Sequence, residues 1–205
     1  MRRAFFAVLI IAGAAALWAM RPPTRTTPDA PQLPRTAAAP TVAGDDLILG
    51  PRNAAHTIVE FGDYACPACA DIQRVLDGIL ESRNDVRVVW KDLPHLAGVA
   101  QSLPRHVAAR CAARQDAFPA FHRALFEQQP RTDAEITALA TQLGLNMTAF
   151  ATCQRDPSIT ARIRANEQEA ARVGVTGTPE FFVDGKRLEA TPTPGAFDTV
   201  LKNLR

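Results

Sequence analysis

The stretch that most constrains this chain is "HTIVEFGDYACPAC", residues 56 to 69. A short apolar run rich in β-branched and aromatic residues reads as a strand buried on both faces, bounded by Gly62 and Asp63. From Cys66 to Glu81 the apolar residues Ala70, Ile72, Val75, Leu76, Ile79 and Leu80 recur with helical spacing. "DVRVVWKD" is the next strand. Strand, helix, strand over so short a distance is a βαβ unit, with parallel strands and a right-handed crossover. Cys66 and Cys69 therefore fall at the C-terminal end of the first strand, where the helix opens.

That placement sets the chemistry. Unpaired N–H groups and the positive end of the macrodipole face a sulfur at a helix N-terminus, favouring its thiolate. Pro67 in the first turn costs no helical hydrogen bond. Cys66 then reads as the nucleophile and Cys69, one turn further in, as the shielded resolving thiol, with Pro67 and Ala68 forming the loop between them. A zinc site or a structural staple are the alternatives, but zinc needs two more ligands at compatible spacing, and the sequence has no second close pair. His56, His95, His106 and His122 show no ligand or triad spacing and read as structural or solvent-facing, with His122 packed among helices. No metal and no bound cofactor is expected. Cys111 and Cys153 each lie in a predicted helix. A second disulfide is the favoured reading, two buried free thiols the other.

The remaining elements are mostly helical. Ser102 and Asp116 are candidate caps for helices through "VAARCAAR" and "AFHRALFEQ", and "TDAE" at 132–135 is a capping box. Asn146 and Asp156-Pro157 open two more helices. "GTPEFFVDGKRLEA" reads as a hairpin turning at Asp184-Gly185, followed by a closing helix from about Pro194 to Leu204. The order is β-α-β, a helical block at about 96–174, then β-β-α: a small α/β domain, 45–205, carrying a helical insertion.

Residues 1–20 read as a targeting segment, because Arg2 and Arg3 precede the uncharged run Ala4–Met20. Seventeen residues span about 25 Å as a helix, the short limit for a bilayer. An uncleaved membrane anchor is favoured over a cleaved signal peptide. Residues 21–44 hold six of the sixteen prolines and read as an extended linker. The five arginines before residue 45 carry the positive excess, and the rest has 18 basic against 20 acidic residues, so a nucleic-acid partner is disfavoured.

"VEFGDYACPAC" together with "GVTGTPEFFVDG" resembles the DsbA-like branch of the thioredoxin superfamily, over roughly Asp45 to Arg205. The resemblance implies a thioredoxin-like fold with an inserted helical subdomain. It implies an exported, periplasmic thiol:disulfide oxidoreductase acting on unfolded or partly folded proteins with cysteines. Oxidation is the favoured direction, with a DsbB-like membrane partner to restore the disulfide. An isomerase or reductase fed by an electron donor is the rival, and a non-redox peptide-binding chaperone module a more distant one. Thr178-Pro179 matches the family's cis-proline loop, which holds substrate backbone; by residues alone it is equally an ordinary turn. Glu60 and Lys91 match a charged pair under the active site. Glu60 interrupts an apolar strand and Lys91 ends its neighbour, so the two are expected to meet, unless both face solvent. Cys111 and Cys153 fall where some members carry a second disulfide. Ala68 departs from the histidine of strongly oxidising relatives, which points to weaker oxidising power.

Overall fold

The computed structural model describes residues 38–94, 102–189 and 193–202. The expected membrane segment at 1–20, most of the linker and His95 lie outside the described residues. Among the described residues, no helix is long and apolar enough to cross a membrane.

The sheet has five strands: β1 (Leu47–Leu49), β2 (His56–Gly62), β3 (Val86–Asp92), β4 (Glu180–Val183) and β5 (Lys186–Arg187), in the order β1-β3-β2-β4-β5. Helix α1 (Pro67–Ser82) joins β2 to β3, which pair in parallel as the βαβ reading requires. β4 runs antiparallel to β2, and the β4–β5 turn falls at Asp184-Gly185, both with positive φ. Asp184 also accepts a hydrogen bond from the Thr57 amide at 2.7 Å, tying the hairpin to β2. Strand β1 was not expected from the sequence; its three residues are too few to show a period, and it pairs antiparallel with β3.

Side chains of β2 and β3 alternate between two cores. Ile58, Val88 and Trp90 join α1, the inserted helices and the C-terminal helix α7 (Pro194–Lys202) on one face. Val59, Phe61 and Val89 meet Ala170, Val173 and Val175 on the other. Burial on both faces is why these strands read as apolar runs rather than as alternating ones.

The insertion comprises α2 (Ser102–Ala113), α3 (Phe118–Gln128), α4 (Asp133–Gln142), α5 (Met147–Gln154) and α6 (Pro157–Arg172). Thr132 and Glu135 form the expected reciprocal cap on α4, Asn146 caps α5, and Asp156 caps α6 ahead of Pro157. The other two caps differ. Asp116 adopts a left-handed conformation (φ 58°) in the turn after α2, leaving Ala117 at the head of α3. Ser102 lies within α2 and donates its hydroxyl to Asp63 at 2.8 Å. A disulfide joins Cys111 of α2 to Cys153 of α5, with Cα atoms 5.6 Å apart.

The linker boundary at residue 44 falls too late. Pro40 is buried, and the Thr41 amide and hydroxyl both donate to Glu169 of α6 at 2.6 Å. The composition of this segment is that of a spacer, but a half-buried carboxylate on the domain holds its last residues.

Candidate active site

Cys66 is the N-cap of α1, with an extended backbone (φ −86°, ψ 120°) and Pro67 in the first turn. The loop before it is wound by Asp63, whose carbonyl accepts from the Cys66 amide at 3.0 Å and whose carboxylate accepts from Ala65 at 2.8 Å. Both cysteines are in the thiol form, and their access differs: Cys66 is 8% exposed and Cys69 fully buried, while Pro67 and Ala68 stand in solvent. A reagent from solution therefore meets Cys66 first.

The Thr178–Pro179 peptide bond is cis, and the Thr178 carbonyl accepts from the Cys66 thiol at 3.4 Å. The Cys66 pKa is drawn down to about 5. The largest cause is the hydrogen bond from the Cys69 side chain; burial opposes it, and a Thr178 side-chain bond and the Cys69 and Ala68 backbone groups add to it. The same Cys66–Cys69 bond, followed by burial and the nearby Glu60 charge, drives the Cys69 pKa far up. One sulfur is thus anionic at neutral pH while its partner keeps the proton.

Glu60 sits beneath this pair, fully buried on β2. Burial raises its carboxyl to about 8, a hydrogen bond from Gln73 moderates the rise, and the Cys66 charge adds to it. Gln73 Nε2 lies 3.3 and 3.2 Å from the two carboxyl oxygens. A Cβ on Gly62 would come within 2.3 Å of the Trp90 ring, so glycine there lets the indole lie against the strand end beside Glu60.

Lys91 does not meet Glu60. In the parallel register Glu60 pairs with Trp90 and Phe61 with Lys91, so the two charges leave opposite faces of the sheet. Lys91 is instead bound to Asp46 at 2.8 Å and Glu169 at 2.9 Å, and Arg162 completes that network against Asp45 and Asp46. These pairs tie the segment before β1 to α6. Sequence reasoning placed both residues correctly on their strands and erred by one step in register.

A second polar cluster was missed. Asp92, at the end of β3, is fully buried; burial pushes its carboxyl up, but Arg110, His106 and the Trp90 N–H together hold it near 2. His106 lies 2.7 Å from Asp92 and 3.5 Å from Asp63. Burial disfavours its charge, yet the two carboxylates carry its pKa above the ordinary value. This cluster clamps the Cys66 loop and β3 to α2. Gln73 also had a legible signal: Cys69, Ile72, Gln73 and Leu76 share the buried stripe of α1, where a lone amide stands out.

The thioredoxin family profile matches residues 42–203. The chain belongs to the thioredoxin family. A thioredoxin-like oxidoreductase from Silicibacter pomeroyi DSS-3 superposes with a TM-score of 0.72 at 25% identity, covering 80% of this chain and 94% of that one. Oxidised BdbD from Bacillus subtilis shares the fold at 19% identity, TM-score 0.69, over 82% of this thioredoxin-family chain and 96% of its own. In sequence, the chain is 33% identical over 143 residues to Na(+)/H(+) antiporter NhaA 3 of Salinispora tropica; the match takes in 69% of this chain and 22% of that protein. The chain thus spans about a fifth of the length of such curated relatives.

Proposed function

We propose that the chain catalyses thiol–disulfide exchange on exported proteins, in the oxidising direction, through Cys66 and Cys69. A substrate thiolate attacks Cys66 Sγ of the oxidised pair; the Cys66–Cys69 bond breaks, a mixed disulfide forms, and Cys69 leaves as a thiolate that takes up a proton. A second substrate thiolate attacks the substrate sulfur, forming the substrate disulfide and releasing Cys66 as a thiolate. Two electrons pass to the enzyme, and a membrane partner of the quinone-linked, DsbB-like kind removes them. The observation that carries this reading is the ionised, accessible Cys66 sulfur at a helix N-cap, beside the Thr178 carbonyl and cis Pro179. Glu60 serves as the buried acid that exchanges a proton with Cys69: its charge raises the Cys69 pKa, while its own carboxyl is held up by burial and by the Cys66 charge. An extended substrate segment pairs with the backbone at Thr178-Pro179. The charge pattern of residues 1–20 supports export to the periplasm with a membrane tether.

Ala68 favours a second reading on one point: a methyl group exposed to solvent gives the Cys66 thiolate no donor, which weakens the oxidant. The deciding measurement is the reduction potential against glutathione, about −120 mV for an oxidase and about −270 mV for a reductant. Trapping tests the chemistry itself. Cys69→Ser, with Cys66 first joined to glutathione as a mixed disulfide, should exchange the glutathione for a thiol of a reduced, unfolded protein and accumulate that covalent adduct. Cys66→Ser should give none, and adducts surviving Cys66→Ser would overturn the assignment.

A further inference from the structure

Four buried side chains outside the cysteine pair form one directional chain of hydrogen bonds. Tyr64 Oη lies 2.9 Å from His122 Nδ1, His122 Nε2 lies 3.0 Å from Gln73 Oε1, and Gln73 Nε2 reaches both Glu60 oxygens. The four residues come from β2, the Cys66 loop, α1 and α3, and none is more than 6% exposed.

The polarity of this chain is not arbitrary. Burial drives the His122 pKa down to about 3, so the ring is neutral and carries a single N–H. Tyr64 keeps its proton, because burial and the Asp92 and Glu60 charges raise its pKa well above 10. A phenol is a better donor than acceptor, so Tyr64 donates to Nδ1 and leaves the ring proton on Nε2. That proton goes to Gln73 Oε1, and the Gln73 amide must then turn its NH₂ group toward Glu60. The reverse polarity would face Glu60 with a carbonyl oxygen, which only a protonated carboxyl accommodates.

The groups around the two titrating ends are, for Glu60, Cys66 at the N-cap of α1, Cys69 and Gln73 within that helix, Trp90 of β3, Phe181 of β4 and Tyr64. For His122 they are Asp92, His106 and Arg123, with the rings of Trp90, Phe118 and Phe126.

We infer that Tyr64 and His122 are positioning residues for the exchange reaction: through Gln73 they hold an N–H donor against Glu60, which favours the ionised carboxylate that accepts the Cys69 proton. This rests on the thiol–disulfide reading above. The step it serves is release of a mixed disulfide by Cys69. The Cys69 S–H proton passes to the Glu60 carboxylate, the sulfur attacks Cys66, the Cys66–substrate bond breaks, and the substrate sulfur departs as a thiolate.

The test uses the full chain with glutathione joined to Cys66 and follows glutathione release by Cys69 across pH. In the wild type the rate should rise through the Glu60 titration and level off. In Tyr64→Phe, which loses one oxygen, the inflection should move up while the plateau stays. At pH below the inflection, release should slow about tenfold for each pH unit of displacement. Gln73→Leu should shift the profile further, and His122→Gln, which keeps an N–H, should restore part of it. A Tyr64→Phe profile superimposable on the wild type would overturn the inference. A wild type that releases no glutathione while Cys66 is joined would instead sink the exchange reading on which it stands.

Discussion

Replacing Glu60 with Gln should flatten the dependence of folding stability on pH, and the size of the effect can be worked out. The Glu60 carboxyl titrates at about 8 in the folded chain against an ordinary 4.5. Between those values the unfolded chain has lost the proton and the folded chain keeps it, so the folded state binds more protons and its stability falls as pH rises. The contribution is intact below the unfolded pKa and lost by the folded one. At about 1.4 kcal/mol per pH unit, the loss sums to about 4 to 5 kcal/mol. Oxidised protein is the right material, because the cysteines then do not titrate and only the smallest of the three causes, the Cys66 charge, is removed. His106 and His122 titrate in both proteins, so the difference between wild type and variant isolates Glu60. Guanidinium unfolding from about pH 4 to about pH 9 should show Glu60→Gln gaining on the wild type by about 4 kcal/mol across the range. Parallel curves would mean that Glu60 ionises as a solvated carboxylate does, and the case for a buried proton store would be gone.

Alkylation of Cys66 should follow an inflection near pH 5, so that by about pH 6 some ~90% of it is thiolate, and Cys69→Ala should move the inflection upward. An inflection near 9 in the wild type would refute the assignment of roles. Removing the Cys111–Cys153 bridge with paired alanines should lower stability by about 4 kcal/mol, from the loop it closes, and a shift of the denaturation midpoint too small to register would contradict this. Lys91→Met should cost about 3 to 5 kcal/mol by leaving Asp46 and Glu169 short of a cation, yet leave the Cys66 alkylation profile unmoved, since Lys91 lies on the far face. A moved profile would show that Lys91 acts on the active site after all.

Much of this architecture is legible because local rules agree with it. The β2–α1–β3 unit, three of the five proposed helix caps and the Asp184-Gly185 turn each follow from residues within one element. Cys66 and Cys69 are equally local: their spacing and the helix start fix which sulfur faces out. What fails is whatever depends on pairing between elements. Glu60 and Lys91 can be put on neighbouring strands from sequence, but their faces depend on a register set by the strands' apolar partners. Tyr64, Gln73 and His122 are far apart in sequence, and each looks ordinary in its own segment. Only packing α3 against α1 makes them a chain. The segment at 38–44 misleads in the opposite way, since proline-rich composition says nothing of a carboxylate waiting on α6.

Asp63 has a consequence beyond its own hydrogen bonds. With one side chain it sets the bend that presents Cys66, and it grips Ser102 and faces His106 on the first described helix of the insertion. The inserted helices are therefore geared to the reactive sulfur rather than appended to the fold. In this chain a change at Ser102 or His106 would reach the Cys66 loop through Asp63, without altering any side chain that touches the sulfur.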